Sequence, residues 1–388
     1  MYPNLYYAFK DLFGVEWTFL RFVNSFGFFV AISFILAAVT LSAELKRKSS
    51  QGLLQPKEMQ MMVGEPASAG ELILNFLLGF LLGFKILGLF IMDSSATEDP
   101  QAFIFSPIGS WPAGILLGLL FAGMKWYEKK KRQLPKPEKR TIRIWPQDRV
   151  GEITIIALVF GLIGAKLFDI FENWSDFLKY PSSYLLSPSG LTFYGGLICA
   201  AIAIWVYAKR HNIGFWHLND AAAPGLMLAY GVGRIGCHVS GDGDWGIVNT
   251  NPKPFSWLPD WTWSYNYPHN VNEAGVPIPG CVGKYCNELN PPVYPTPIYE
   301  IIVCLLLFAL LWSVRKKLKT PGTLFALYLM LNGVERFFIE KIRVNTRLNI
   351  FGFQPTQAEV ISTLLFLAGL IIWILLKKRE RMVKSTSV

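Results

Sequence analysis

With 388 residues, 52% hydrophobic and only 16% charged, and a mean hydropathy of +0.34, the chain has too much apolar surface for an ordinary soluble domain. Its formal charge of +10 is gathered in clusters that follow apolar runs: 44–48 (ELKRK), 125–132 (KWYEKKKR), 208–211 (AKRH), 315–319 (RKKLK) and 377–384 (KKRERMVK). That is the pattern of cytoplasmic loops and excludes a nucleic-acid face, while five cysteines without a His/Cys ligand cluster give no reason to expect a metal or a cofactor.

Taken in order, residues 1–16 are aromatic-rich and lack both a basic n-region and a small-residue cleavage site, so they do not read as a removed signal peptide. A first span over 17–43 closes at the basic 44–48, which places the N-terminus outside; 49–70 reads as a polar, mobile loop. A second span, 71–92, is broken only by Lys85 and leads to an acidic outer loop at 93–107; a third, 111–127, returns to the cytoplasm and a basic, proline-containing linker at 129–140. The fourth span, about 153–171, carries Gly161, Gly164 and Lys166, and its aromatic exit suits an outer interface. The fifth opens at Tyr194-Gly195-Gly196, where the tyrosine is either an interfacial belt residue or reaches into a cavity shaped by the glycines.

The sixth span, about 216–235, delivers a glycine-rich stretch, 231–246 (GVGRIGCHVSGDGDWG), in which Arg234 stands where the chain leaves the membrane. A guanidinium cannot deprotonate there, and its planar fork suits the phosphate of an anionic lipid; a snorkelling arginine is the plainer alternative. Residues 242–295, rich in proline and tryptophan, read as a small extracytoplasmic head. Cys281 and Cys286 are expected to pair there, because the outer segment is oxidising and four intervening residues can close a loop; Cys199, Cys237 and Cys304 are expected to stay reduced.

The seventh span opens at Pro295 with Glu300 in its first turn, near the positive end of the helix. The eighth, 324–339, runs outward into Arg336, Glu340 and Arg343, which at 100° per residue fall on one narrow face, and the ninth spans 358–376. The expectation is therefore an all-α polytopic membrane protein of about nine helices with a cytoplasmic C-terminus. It divides into 1–48, a helix pair with its loop and linker at 49–140, core spans at 141–241, the head at 242–295, and C-terminal core spans at 296–388. A transporter or channel would place charges near span centres; here the charges lie at outer ends, with Lys85 and Lys166 the exceptions.

In family order, Gly233-Arg234-Ile235-Gly236 with Asp244-Trp245-Gly246, Tyr194-Gly195-Gly196-Leu197, the helix start from Pro295 to Glu300, and the Arg336, Glu340, Arg343 set resemble the motifs of the prolipoprotein diacylglyceryl transferases of bacterial inner membranes. The resemblance covers roughly 150–380 and the first span. It implies transfer of diacylglycerol from phosphatidylglycerol to the lipobox cysteine of a prolipoprotein signal peptide, on the outer side of a bacterial inner membrane, with membrane lipids as surroundings. It also implies that Arg234, Arg336 and Arg343, with Gly195, Gly196 and Gly246, bind the phospholipid, and that Glu340 orients Arg336. Several positions depart from the family: Tyr194 replaces its histidine, Cys237 its signature asparagine and Asn332 its late tyrosine, Phe26-Gly27 stands for its early Tyr-Gly, and Asp242 and Asp244 compete for its signature glutamate. Tyr194, His238 and Asp242 are all candidates to take the proton of the substrate thiol, whose free pKa lies near 8.5.

Overall fold

The computed structural model describes residues 1–91, 103, 106–186, 190, 192–349 and 352–386. Its long helices, in chain order, are α1 (Leu5–Phe13), α2 (Ser25–Ser50), α3 (Ala69–Leu81, continued by a π-type turn over Leu82–Leu87), α4 (Trp111–Lys131) and α5 (Val150–Glu172). They are followed by α6 (Phe193–Arg210), α7 (Phe215–Ser240), α8 (Thr296–Val314), α9 (Thr323–Glu340) and α10 (Gln357–Thr386). Strand pairing among the described residues is confined to β1 (Lys57–Val63) with β2 (Glu138–Ile144) and to the two-residue β3 (Val276–Pro277) with β4 (Asn287–Glu288). Among the described residues, five stretches, Ser25–Ser50, Ala69–Leu87, Pro146–Glu172, Thr296–Val314 and Gln357–Met382, are helical, long and apolar enough to cross a membrane. Residues such as Ile35, Ile155 and Leu306 expose apolar side chains outward from these helices, as a lipid-facing surface requires.

The chain forms two compact units, one of residues 1–55, 146–154 and 205–388, the other of 56–145 and 155–204. In the first, α7 packs along α2 and α8, and α9 packs along α10. Met227, Cys304, Leu311 and Leu324 are buried where α7, α8 and α9 meet. Gly236 makes the α2 contact possible: a Cβ there would sit 3.1 Å from the Phe26 carbonyl oxygen and the Phe29 Cβ. Asp220 of α7 locks the helices together toward the other end. It accepts from the backbone N–H groups of Gly322 (2.8 Å) and Phe325 (2.9 Å) and lies 3.4 Å from Lys48 Nζ, so a buried carboxylate has its lone pairs satisfied and joins α2, α7 and α9. The N-termini of α3 and α10 each carry a capping box, Ser68 with Glu71 and Thr356 with Glu359.

In the second unit α3 and α4 form a tight hairpin, with Phe80 and Phe84 stacked at its contact and Trp111 meeting them tilted and edge-on. Lys85, the apolar run's single charge, donates to the carbonyls of Phe103, Ser106 and Ile108, so it closes a turn rather than lining an ion path.

Three expectations change. The expected mobile loop at 49–70 contains β1, and the expected linker at 129–140 ends in the start of β2, the two paired antiparallel from Lys57↔Ile144 to Val63↔Glu138. Both strands are exposed along most of their length, so no buried face imposed an apolar alternation; the pairing rests on backbone bonds and cross-strand contacts such as Glu58 with Arg143 at 2.9 Å. The first span begins at Ser25 rather than at residue 17, because Thr18–Phe22 winds as a separate 3₁₀ turn and the Asn24 side chain then caps α2 by accepting from Gly27 N at 3.3 Å. α9 ends at Glu340, so Arg343 does not share a helical face with Arg336 and Glu340. The acidic stretch expected as an outer loop at 93–107 lies largely outside the described residues.

Candidate active site

Arg234 stands nearly two turns before the end of α7, and Gly241, in the left-handed region at φ 66°, stops that helix and turns the chain back across its end. The returning loop is stitched down by backbone bonds from Gly246 N to Tyr294 O and from Ile247 N to Ile342 O, both 2.8 Å. Gly246 is required for this threading: a Cβ would lie 2.5 Å from the Ile342 carbonyl oxygen. It also forms a bridge with Arg343 and so brings that arginine to the loop.

Between loop and helices, three guanidiniums meet three carboxylates. The Arg234 Nη1 donates to Asp244 Oδ2, and its Nε lies 3.2 Å from Glu300 Oε2. Arg336 Nη1 donates to Glu300 Oε1 at 3.1 Å while its Nη2 is 3.1 Å from Glu340 Oε2, the i,i+4 partner on α9. Arg343 Nη2 donates to the other Asp244 oxygen, and its Nη1 is 3.6 Å from Glu300 Oε2. Glu300, fully buried at the start of α8, is thus shared by arginines from α7, α9 and the chain beyond α9, and it also accepts from the Tyr230 hydroxyl at 2.8 Å. Asn345 donates to Glu340, and the Thr296 hydroxyl holds the Asp244 carbonyl at 2.6 Å. With each partner ionised, the cluster is formally neutral.

Two loop carboxyls differ in a way their surroundings explain. Burial pushes Asp242 up from the ordinary carboxylate value, and the neighbouring Asp244 charge adds to the shift. Burial would raise Asp244 as well, but Arg234 and then Arg343 outweigh it and hold Asp244 below the ordinary range. Of the two aspartates that compete for the family's glutamate, Asp244 is the one between the arginines, while Asp242 accepts from the Asp244 backbone N–H at 3.3 Å. Cys237, Asp242 and Asp244 bring three ligand atoms within 4.8 Å of one another, yet the two guanidiniums already on Asp244 oppose a cation there.

The remaining predicted residues have neighbours of their own. His238, on the last turn of α7, faces the aromatic cluster of the head, with Nδ1 3.3 Å from the Tyr267 hydroxyl and its ring 6.0 Å from that of Tyr265. Tyr194, Gly195 and Gly196 belong to the second compact unit. Tyr194 is half-buried in the first turn of α6 with its ring against Phe193. The space above the two glycines is taken by α5: a Cβ on Gly195 would meet the Phe168 side chain at 2.3 Å, and one on Gly196 the Gly161 carbonyl at 2.8 Å. These glycines serve close helix packing against α5. Cys281 and Cys286 are joined, and Cys199, Cys237 and Cys304 are free.

Sequence reasoning placed Glu300 at a helix start without seeing it as the hub, and it passed over Tyr230 and Glu335. A signal existed for both: Tyr230 precedes Arg234 by one helical turn, and Glu335 directly precedes Arg336.

The sequence profile of the prolipoprotein diacylglyceryl transferase family matches residues 104–375. Among curated proteins, the chain is 30% identical to a phosphatidylglycerol–prolipoprotein diacylglyceryl transferase of Dehalococcoides mccartyi over 295 residues, covering 73% of this chain and 95% of the relative. Proteins of the same name from Mannheimia succiniciproducens and Corynebacterium efficiens are each 28% identical, over 74% of this chain and 96% and 85% of their own lengths.

Proposed function

From the chain's membership of the prolipoprotein diacylglyceryl transferase family and from its arginine cluster, we propose that it transfers the diacylglyceryl group of phosphatidylglycerol to the lipobox cysteine of prolipoprotein signal peptides, releasing glycerol phosphate. The observation that carries the reading is the sharing of Glu300 by Arg234 and Arg336, which gathers fixed cations from two helices at one point.

The reaction breaks the bond between a glycerol carbon and a phosphate oxygen while a thiolate sulfur attacks that carbon. Negative charge grows on the departing phosphate, and guanidiniums already held in place stabilise it without reorganising; loss of one such donor typically costs about 2.7–4 kcal/mol. Asp244 supports this use of the site. Its two oxygens lie on Arg234 and Arg343 as two phosphate oxygens would, so it marks the anion position that the lipid phosphate takes over. Arg336, held by Glu300 and Glu340, then faces the same charge. Tyr194 is assigned a hydrogen bond to the lipid. The protein is placed in a bacterial inner membrane with about nine spans, the N-terminus and active site outside and the C-terminus in the cytoplasm.

The test is thioether formation on a synthetic lipobox peptide in proteoliposomes containing phosphatidylglycerol. Arg234→Lys and Arg336→Lys keep the charge but lose the bidentate fork, and each is expected to lower turnover at least ~100-fold with normal expression. Wild-type turnover in either lysine variant would reduce the arginine to a packing residue and end the shared phosphate site.

A further inference from the structure

The proposed reaction needs a group that takes the proton of the thiol, and the carboxylates and histidine around the arginines are mostly committed. Asp244 is held by two arginines, Glu300 by Arg234, Arg336 and Tyr230, Glu340 by Arg336 and Asn345, and the His238 ring by Tyr267. Asp242 accepts a backbone N–H.

Glu335 of α9 differs from all of these. It is 7% exposed, yet neither of its carboxylate oxygens has a hydrogen-bond partner among the described residues, and no ion pair reaches it. An unpartnered ionisable group buried in an apolar helix bundle is costly, and in a membrane protein such a group marks a functional position more often than a structural one. The Tyr230 hydroxyl stands beside it but donates to Glu300. Glu335 also lines a groove of about 350 Å³ between α8 and α9, whose other walls are largely apolar: Val303, Leu307, Leu331, Val334 and Phe338. Both carboxyl oxygens are themselves closed to solvent beneath this groove, so a thiol reaches them only when the groove's side chains part. The titratable and charged groups around it are Tyr230 and Arg234 from α7, Glu300, Cys304 and, at the groove, Tyr299 from α8, and Tyr328 and Arg336 from its own helix. The carboxyl therefore sits in the field of the same arginines that hold the proposed phosphate site.

We propose that Glu335 is the proton acceptor for the substrate thiol; this rests on the transferase reading above. The S–H bond breaks and its proton passes to the Glu335 carboxylate. The sulfur electron pair forms the S–C bond to the lipid glycerol carbon, and the C–O bond to phosphate breaks with its pair going to the phosphate oxygen. The Glu335 carboxylic acid returns the proton to water as glycerol phosphate leaves.

The test compares two synthetic lipobox peptides, one with cysteine and one with selenocysteine at the acceptor position, because a selenol is ionised at neutral pH without a base. With the cysteine peptide, kcat of Glu335→Gln is expected to fall at least ~100-fold, the usual scale for a general base. With the selenocysteine peptide the same variant is expected to stay within about threefold of wild type, a difference that a merely structural role would not produce. Wild-type kcat on cysteine, or equal losses on both peptides, overturns the proposal. Should the variant fail to insert, the wild-type enzyme carries the test: kcat from pH 6 to 9 must show an enzyme group that limits the thiol peptide and not the selenol peptide, and identical profiles overturn the assignment. A wild-type enzyme silent on both peptides would instead refute the transferase reading itself.

Discussion

Replacing Glu300 with glutamine asks whether one carboxylate organises the cluster. The side chain keeps its size and can still accept from Tyr230, but it loses the charge that faces Arg234 Nε at 3.2 Å, Arg336 Nη1 at 3.1 Å and Arg343 Nη1 at 3.6 Å. Glu300 is fully buried and the three guanidiniums are mostly so, hence removing the shared anion leaves positive charge uncompensated in a low-dielectric site rather than at a solvated surface. Breaking a buried pair in this way typically costs about 3–5 kcal/mol, and at about 1.4 kcal/mol per decade that is a factor of about 10² to 4 × 10³ in the ratio of folded to unfolded protein. Arg234 keeps Asp244 and Arg336 keeps Glu340, so the lower end is expected for stability. Turnover should fall by a similar or larger factor, because both proposed phosphate ligands lose their common anchor and small misplacements are expensive in catalysis. Thermal unfolding in detergent, followed by tryptophan fluorescence, and thioether formation in proteoliposomes measure the two effects. A glutamine variant within about 1 kcal/mol of wild type and with unchanged turnover would show that Glu300 does not hold the arginines, and the argument from their shared carboxylate would fail.

Asp244 supplies a pH-dependent part of the stability. Its carboxyl in the folded protein lies below the ordinary value near 3.9, so its stabilisation is complete above about pH 4 and is lost as pH falls through the lowered folded value. Asp244→Asn should therefore be less stable at neutral pH and show a flatter loss on acidification; parallel melting curves for the two proteins from pH 5 to pH 3 would contradict the pairing with Arg234 and Arg343. Tyr194→Phe should raise the KM for phosphatidylglycerol and leave the pH dependence of kcat unchanged, while a displaced kcat profile would return the proton-transfer role to the tyrosine. His238→Gln should lose only its contact with Tyr267, about 0.5–1.5 kcal/mol of stability, and a dead but folded variant would make the histidine the base.

How far the sequence could be read follows from which interactions are local. Apolar runs bounded by basic clusters mark helices and their ends, since the burial of some twenty apolar residues and the charge of the flanking loops are written in consecutive residues. Capping boxes at Ser68 and Thr356, the turn at Gly241 and the spacing of Arg336 to Glu340 are local in the same sense. β1 and β2 escaped because two exposed strands about eighty residues apart share no apolar period. Arg343 escaped because the helix that would have carried its angle stops at Glu340, and a backbone bridge to Gly246 decides where it points.

By itself the sequence determined an α-helical membrane protein with arginines near span ends, and its motif order was enough to name a family. Only the tertiary structure decided that Asp244 rather than Asp242 meets the arginines, that Gly195 and Gly196 close against α5, that Glu300 joins three guanidiniums, and that Glu335 is left without a partner. The reason is that an ion pair depends on distances of a few ångströms between residues ten to a hundred positions apart, and those distances are set by how α7, α8 and α9 pack, which no single stretch of the chain records.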